Sequence, residues 1–126
     1  MKRKRILIID DEKGILTTLS LRLKSLDFEV LVCSDGQEGL EMAIREVPDL
    51  MILDLILPKL TGEEVCKAIR EDMDETLSNL PIIMLTGKDT TADKVVGKVI
   101  GANAYLTKPF DFEVLVKEIK KLGLLN

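Results

Sequence analysis

The sequence predicts a three-layer α/β sandwich: a five-stranded parallel sheet with helices on both faces. Short apolar runs alternate with segments of helical periodicity, which is typical of repeated strand–helix units. The apolar runs are continuous rather than alternating, as in strands that are covered on both faces. The chain has 126 residues, 46% of them hydrophobic and 32% charged, which is enough for one domain with a single core. We therefore expect residues 1–126 to form one domain.

The five apolar runs are the predicted strands. They cover residues 6–9, 30–32, 50–53, 82–85 and 104–106. Right-handed crossovers and the need to cover both faces favour the strand order 2-1-3-4-5. In that order the connections diverge between strands one and three, and ligands of α/β proteins bind there, beyond the carboxyl ends of the strands.

Four segments between the strands and one after the last strand have apolar residues spaced three and four apart, which predicts amphipathic helices. These segments span residues 16–26, 40–47, 65–69, 92–99 and 112–122. The longest stretch without periodicity is "DMDETLSN", residues 72–79, and we expect it to be a surface loop before strand four.

Several residues predict where helices begin and end. Asp35 and Thr61 each precede a glutamate by three residues, which is the capping-box spacing. Asp111 is placed to cap the last helix. Gly101 and Gly123 are expected to end helices.

Composition and charge exclude several classes of function. The formal net charge of −4 disfavours nonspecific binding of DNA or of membranes. The basic start "MKRKR" is interpreted as a solvated lead-in to strand one. No apolar run approaches the roughly 20 residues of a membrane span, and the start lacks the apolar stretch of a signal peptide. A cytoplasmic location is therefore expected.

The chain has no histidine, which excludes Ser-His-Asp and Cys-His catalysis and any histidine-ligated metal. Cys33 and Cys66 form neither a disulfide framework nor a CxxC motif. Both have apolar neighbours, so we expect them to be small core residues.

Polar residues follow four of the five predicted strands. Asp10 and Asp11 follow strand one, Asp54 follows strand three, Thr86 ends strand four, and Lys108 follows strand five. Three carboxylates at one edge of a sheet repel each other, and Mg²⁺ is the hard cation that such oxygens bind. The lysine adds a second positive charge and the threonine a hydroxyl donor. This set suits phosphoryl transfer, with one carboxylate as the nucleophile that forms an aspartyl phosphate.

Four motifs, "IIDDE", "MILDLILP", "IIMLTG" and "GANAYLTKPF", occur in this order over essentially the whole chain. The chain thereby resembles the CheY-like response-regulator receiver domain of two-component signalling, which has a flavodoxin-like (βα)5 fold. The resemblance implies a phosphoacceptor switch rather than a classical enzyme, with no activity beyond its own phosphorylation and dephosphorylation. The phosphoryl group would come from a sensor histidine kinase or a phosphotransfer protein, and the switch would act on a downstream output domain or partner protein.

The resemblance also assigns roles to residues of the site. Asp54 would be the phosphoacceptor. Asp11 and Asp54 would bind Mg²⁺ directly together with the backbone carbonyl of Ile56, and Asp10 would bind it through a water molecule. Thr86 would hydrogen-bond the phosphoryl group as part of the switch.

Lys108 would pair with a phosphoryl oxygen, and the Lys108–Pro109 peptide bond would be cis. Tyr105 would be the aromatic switch that turns inward as the threonine of strand four moves. The surface that changes would comprise the predicted fourth helix, strand five and the last helix, where partners bind and where a phosphorylation-dependent homodimer could form. Ile56 and Lys88 would tune the lifetime of the phosphorylated state. The chain departs from the family at "PKLTG", where Pro-Gly-Met-Asp-Gly is common.

Three other functions fit the sequence less well. A phosphatase of the haloacid-dehalogenase type needs Asp-x-Asp after its first strand, whereas this strand is followed by "DDEKG". A flavodoxin has a phosphate loop rich in Ser, Thr and Gly, and the acids here would repel a phosphate. A pseudo-receiver would bind partners without phosphorylation, but all the key residues for phosphorylation are present in this chain, which argues against it. A stand-alone regulator and the N-terminal part of a longer protein both remain open.

Overall fold

The computed structural model describes residues 2–87 and 101–126. The strands of this part are β1 Arg5–Ile9, β2 Glu29–Cys33, β3 Leu50–Asp54, β4 Ile82–Thr86 and β5 Ala104–Thr107. The helices are α1 Lys13–Ser25, α2 Gly36–Glu46, α3 Gly62–Arg70, α4 Glu75–Ser78 and α5 Phe112–Lys121. None of the helices in this part is both long and apolar enough to cross a membrane.

All five strands are parallel, in the order β2-β1-β3-β4-β5, which confirms the predicted fold. The register brings the carboxyl ends of the strands level with one another. Ile9 lies opposite both Cys33 and Leu53. Asp54, the last residue of β3, lies opposite Leu85. Residues that follow the strands therefore meet at one edge.

Backbone hydrogen bonds extend the sheet one residue past two of the strands. The N–H of Asp10 donates to the carbonyl of Cys33 at 3.1 Å, and the N–H of Lys108 donates to the carbonyl of Thr86 at 2.6 Å. These bonds fix the direction in which the first residue after β1 and after β5 leaves the sheet.

The core lies in two layers because successive residues of a strand point to opposite faces of the sheet. One layer joins the sheet to α2 and α3 and includes Leu7, Ile9, Ala43, Met51, Leu53, Val65, Cys66 and Ile69. The other joins it to α1 and α5 and includes Ile6, Ile8, Leu19, Leu23, Ile52, Leu85, Leu115 and Ile119. The expectation of burial on both faces holds for β1, β3 and β4, whereas β2 and β5 are partly exposed because they are edge strands.

Both cysteines are buried, as predicted. Burial raises the pKa of the Cys33 thiol to about 12. Because the thiolate is the reactive form of cysteine, this side chain acts as a core residue rather than as a nucleophile.

The predicted helix ends are mostly confirmed. Thr61 forms a reciprocal capping box with Glu64 at the start of α3, and the Asp35 side chain accepts the N–H of Glu38 at the start of α2. Gly123 has a φ of +78° just after α5. The prediction for Asp111 is wrong in part: the residue is the N-cap of α5, but its side chain makes no capping hydrogen bond.

Two further predictions are wrong. Residues 72–79 are not only a loop, because α4 forms there: the Asp74 side chain accepts the N–H of Leu77 at 3.1 Å, and Leu77 is buried. The basic start is not wholly a solvated lead-in, because Arg5 belongs to β1, is partly buried and pairs with Glu29. The predicted helix at 92–99 and Lys88 lie outside the described residues, as does any helix that Gly101 would end.

Candidate functional site

Three carboxylates meet at the carboxyl edge of the sheet, as the topology predicted. One carboxylate oxygen each from Asp10, Asp11 and Asp54 lies within 4.8 Å of the others. Asp10 is 0% exposed and Asp54 is 7% exposed, whereas Asp11 is exposed to solvent. The cluster therefore runs from the interior of the molecule to its surface.

The ammonium group of Lys108 lies among carboxylates. Its Nζ is 2.9 Å from Oδ2 of Asp10, 3.2 Å from Oδ2 of Asp54 and 3.2 Å from Oε1 of Glu12. The lysine side chain is only 16% exposed. The Lys108–Pro109 bond is cis, as the resemblance implied.

The environment raises the pKa values of both Asp54 and Lys108, for different reasons. Burial, and after it the neighbouring Asp10 carboxylate, raises the pKa of Asp54 to about 6, while Lys108 and the N–H of Ile56 act in the opposite direction. Burial alone would lower the pKa of Lys108, but its contacts with Asp10 and Asp54 outweigh burial and raise that pKa above its usual value. At neutral pH Lys108 is therefore charged, and Asp54 is mostly ionised but poorly stabilised.

The donor set fits a hard divalent cation. Oδ1 of Asp10 accepts the N–H of Glu12 at 2.9 Å. Oδ2 of Asp10 is buried and has an ion-pair contact with Lys108, but it receives no well-directed hydrogen bond. Around this atom the carboxylates outnumber the nearby lysine, so negative charge is left over. Oxygen ligands with excess negative charge are what Mg²⁺ binds in proteins.

Thr86 ends β4, the strand next to Asp54, and Tyr105 lies on β5 opposite Met84. Thr86 is wholly buried at the end of β4, and its hydroxyl donates a long hydrogen bond of 3.5 Å to the carbonyl of Leu106 on β5. Tyr105 is partly buried and packs against the core layer that holds α2 and α3. The Thr86 hydroxyl therefore lies at the end of the strand next to Asp54 and is held by a long, weak hydrogen bond.

The connection after β3, which contains the sequence "PKLTG", is held against α2. Lys59 has a φ of +72°, in the left-handed region that favours glycine, at the position where the family often has glycine. Its Nζ lies 3.6 Å from Oδ2 of Asp35, and the N–H of Gly36 donates to the carbonyl of Pro58 at 3.1 Å. This loop carries Ile56, which is 68% exposed and whose N–H lies 3.4 Å from Oδ1 of Asp54.

The glycine at the end of this loop is required by its packing. The N–H of Gly62 donates to the carbonyl of Leu55 at 2.8 Å. A Cβ atom on Gly62 would lie 2.4 Å from the carbonyl oxygen of Asp54. A side chain at this position would therefore displace the backbone that carries the Asp54 carboxylate.

Sequence reasoning gave no role to Glu12, whose carboxylate forms an ion pair with the ammonium of Lys108 in the structure. The two residues are 96 positions apart, and both line a cleft of about 620 Å³ between α1 and the β5–α5 connection. The only sequence signal was a third acid after Asp10 and Asp11, and the pattern of a helix start accounts for it equally well.

Comparison with known proteins agrees with this geometry. The family model described as "response regulator receiver domain" matches residues 6–120. The alkaline phosphatase synthesis transcriptional regulatory protein PhoP of Bacillus subtilis is 48% identical over 107 residues, which are 85% of this chain and 43% of that protein. The chain thus spans less than half the length of this relative.

Two solved structures illustrate the similarity of fold. The chemotaxis response regulator CheY4 of Vibrio cholerae has a TM-score of 0.86 and 34% identity, over 96% of this chain and 99% of that one. The receiver domain of a sensor histidine kinase from Pseudomonas aeruginosa has a TM-score of 0.87 and 29% identity, over 97% of this chain and 99% of that one. That structure contains a magnesium ion coordinated in its active site cleft. The chain belongs to the family of response regulator receiver domains.

Proposed function

We propose that residues 1–126 form one receiver domain in which Asp54 is the phosphoacceptor. The observation that carries this proposal is the position of its carboxylate, which lies at the carboxyl edge of the sheet with a lysine ammonium 3.2 Å away. Two more carboxylates lie within 4.8 Å of it. A carboxylate whose negative charge is destabilised by burial is a reactive nucleophile, and the adjacent cation can stabilise the charge of a transferring phosphoryl group.

The proposed step moves a phosphoryl group from a phosphohistidine to Asp54. A bond forms between a carboxylate oxygen and phosphorus while the nitrogen–phosphorus bond breaks, and the leaving imidazole keeps the electron pair and takes up a proton. Residues 1–126 contain no histidine, so the donor histidine belongs to another protein or to another part of the protein. We assign the donor to a sensor histidine kinase or a phosphotransfer protein.

Two residues of the site would hold the transferred group. Lys108 would pair with one phosphoryl oxygen in exchange for one of its three carboxylate contacts. Thr86 would donate its hydroxyl hydrogen to another oxygen in exchange for the long hydrogen bond to Leu106. The exchange at Thr86 favours the phosphorylated state because a hydrogen bond to an anion is stronger than one between neutral groups.

The cofactor we assign to this site is Mg²⁺. Asp11, Asp54 and the backbone carbonyl of Ile56 would hold it directly, and Asp10 would do so through a water molecule. When bound, the ion neutralises part of the carboxylate and phosphoryl charge. Supporting observations are the buried oxygen of Asp10 without a well-directed hydrogen bond and the magnesium ion in the related Pseudomonas aeruginosa structure.

The proposed output is a change of surface. Movement of Thr86 would allow Tyr105 to turn inward, which would alter the surface of β5 and α5. A downstream output domain or partner protein would read this surface, and a phosphorylation-dependent homodimer could use it. We place the protein in the cytoplasm and assign it no enzymatic activity beyond its own phosphorylation and dephosphorylation.

Phosphorylation with phosphoramidate and Mg²⁺, followed by intact-protein mass spectrometry, tests the role of Asp54. Wild type should gain the mass of one phosphoryl group, and Asp54→Asn should gain none because its amide is not a nucleophile. Asp49→Asn is a matched control, since Asp49 lies at the opposite edge of the sheet, where it accepts the N–H of Arg5. It should be phosphorylated like wild type.

Two results would contradict the proposal. Phosphorylation of Asp54→Asn to the wild-type extent would move the phosphoacceptor to another residue. A wild-type chain that binds Mg²⁺ but takes up no phosphoryl group would instead favour a pseudo-receiver.

A further inference from the structure

Glu12 occupies a helix start without capping it. Its backbone is extended at the N-cap of α1 (φ −89°, ψ 111°), but its side chain makes no capping hydrogen bond. N-cap side chains usually accept an N–H from the first turn of their own helix. The Glu12 carboxylate instead reaches Lys108 Nζ at 3.2 Å. The side chain thus links α1 to the β5–α5 connection.

Carboxylate oxygens surround the ammonium group of Lys108. A lysine ammonium has three N–H donors, and three carboxylates lie within 3.2 Å of this one. Those of Glu12 and Asp54 accept hydrogen bonds from it. A phosphoryl oxygen that pairs with Lys108 must therefore take the place of a carboxylate.

The three carboxylates differ in how easily they release the lysine. Asp10 is wholly buried, so separating it from its cation would leave an unpaired charge in the interior. Asp54 itself becomes the phosphorylated group. The Glu12 side chain is 61% exposed, and water can solvate its carboxylate when the lysine leaves. Glu12 is thus the partner that is exchanged at the lowest cost.

We propose that Glu12 is a positioning residue. Before Asp54 is phosphorylated it holds the Lys108 side chain in place, and it competes with the incoming phosphoryl group for the Lys108 ammonium. The contact slows phosphorylation because the lysine must be withdrawn from Glu12 before it can stabilise the incoming group. This inference rests on the proposed role of Asp54.

The test compares rates of phosphorylation by phosphoramidate and Mg²⁺ in wild type and Glu12→Gln. The glutamine has nearly the same shape but lacks the charge. The variant should be phosphorylated about two- to fivefold faster, which is the range that the energy of an exposed ion pair allows. The ratio of the two rates should approach one at about 1 M salt, where charges are screened beyond roughly 3 Å.

Two matched variants separate this contact from general effects of charge and of folding. Glu41→Gln removes the same charge from an exposed position on α2 and should phosphorylate at the wild-type rate. Glu12→Asp keeps the carboxylate, so its rate of phosphorylation should be closer to that of wild type than to that of Glu12→Gln. All variants should have the melting temperature of wild type, because the exposed pair contributes little to stability.

The outcomes distinguish this inference from the function on which it rests. If wild type is phosphorylated and Glu12→Gln is phosphorylated at the same rate or more slowly, the competition is refuted while the role of Asp54 stands. An equal acceleration in Glu41→Gln would also refute it, because the effect would then be one of total charge. If wild type takes up no phosphoryl group, the proposed function fails and this inference fails with it.

Discussion

The two edges of the sheet carry charged clusters that differ in the cation at their centre and in their burial. At the amino edge, Arg5 donates hydrogen bonds to the carboxylates of Glu29 and Glu46 and to the backbone carbonyl of Glu46. Asp49 accepts the backbone N–H of Arg5 at 2.8 Å. These side chains keep access to solvent, and the planar guanidinium satisfies several acceptors at once.

At the carboxyl edge, one compact ammonium serves several carboxylates. Lys108 contacts Asp10, Glu12 and Asp54, and Asp11 lies beside them. Two of the carboxylates are almost completely buried. The carboxylates of the amino edge are therefore solvated as well as paired, whereas the carboxyl edge holds buried carboxylates that outnumber its lysine. This difference gives the carboxyl edge the stronger electrostatic reason to bind a cation and to exchange partners during a reaction.

Removal of the cation from each edge is the strongest test of this comparison. Lys108→Met should lower the free energy of unfolding by about 3 kcal/mol, because Asp10 would keep a buried charge without a partner. Arg5→Met should lower it by only about 1 kcal/mol, because water can solvate the carboxylates that remain. Urea denaturation at pH 7 in buffer with a metal chelator measures both values.

Addition of Mg²⁺ provides the control for these two variants. Part of the loss in Lys108→Met should be recovered, since a bound cation replaces some of the missing positive charge, whereas Arg5→Met should gain no more than wild type does. Equal losses in the two variants without metal would show that burial does not distinguish the edges.

The pH dependence of stability should also differ between the edges. The pKa of Asp54 is about 6 in the folded chain, against about 3.9 for an unperturbed aspartate. The folded state therefore binds this proton more tightly than the unfolded state does. The stabilisation from Asp54 is fully present below about pH 4 and is lost as the pH rises through 6, a change of about 2 to 3 kcal/mol.

Comparison of wild type with Asp54→Asn in metal-free urea denaturation, from pH 4 to pH 7, isolates this contribution. Wild type should lose stability relative to the variant as the pH rises. At the amino edge the sign is reversed: the hydrogen bond from Arg5 lowers the pKa of Glu46, so its contribution is present at neutral pH and is lost as the pH falls. Parallel pH profiles for wild type and Asp54→Asn would refute the raised pKa.

Sequence order and parallel pairing were sufficient to predict which residues meet at the carboxyl edge. In a parallel sheet all strands end on the same side, so Asp10, Asp54 and Lys108 had to converge once the strand order was known. The contact of Glu12 with Lys108 could not be predicted, because the two residues are 96 positions apart in sequence. Their contact also depends on the conformation of the glutamate side chain. Strand pairing restricts backbone positions but not the direction of an exposed glutamate.

Short or locally ambiguous features were missed for a related reason. The helix α4 has four residues, too few for an apolar period, and only its Asp74 cap marks it. The position of Asp111 at a helix start was predictable from sequence, but the hydrogen bond of its side chain was not. Arg5 belongs to a basic run in the sequence, and its partners Glu29 and Glu46 are too distant in sequence for that run to indicate an ion pair.

The smallest expected effect is the difference in Mg²⁺ affinity between variants of the two adjacent aspartates at the carboxyl edge. Asp11 is exposed and is proposed to contact Mg²⁺ directly, so Asp11→Asn should weaken binding about tenfold, or about 1.4 kcal/mol. Asp10→Asn should weaken it less, because Asp10 already has Lys108 as a partner and is proposed to act through water. Asp27→Asn removes an exposed charge paired with Arg3 at the opposite edge and should leave the affinity unchanged. Titration calorimetry of the unphosphorylated proteins measures the three affinities, and a wild-type affinity in Asp11→Asn would rule out the direct contact.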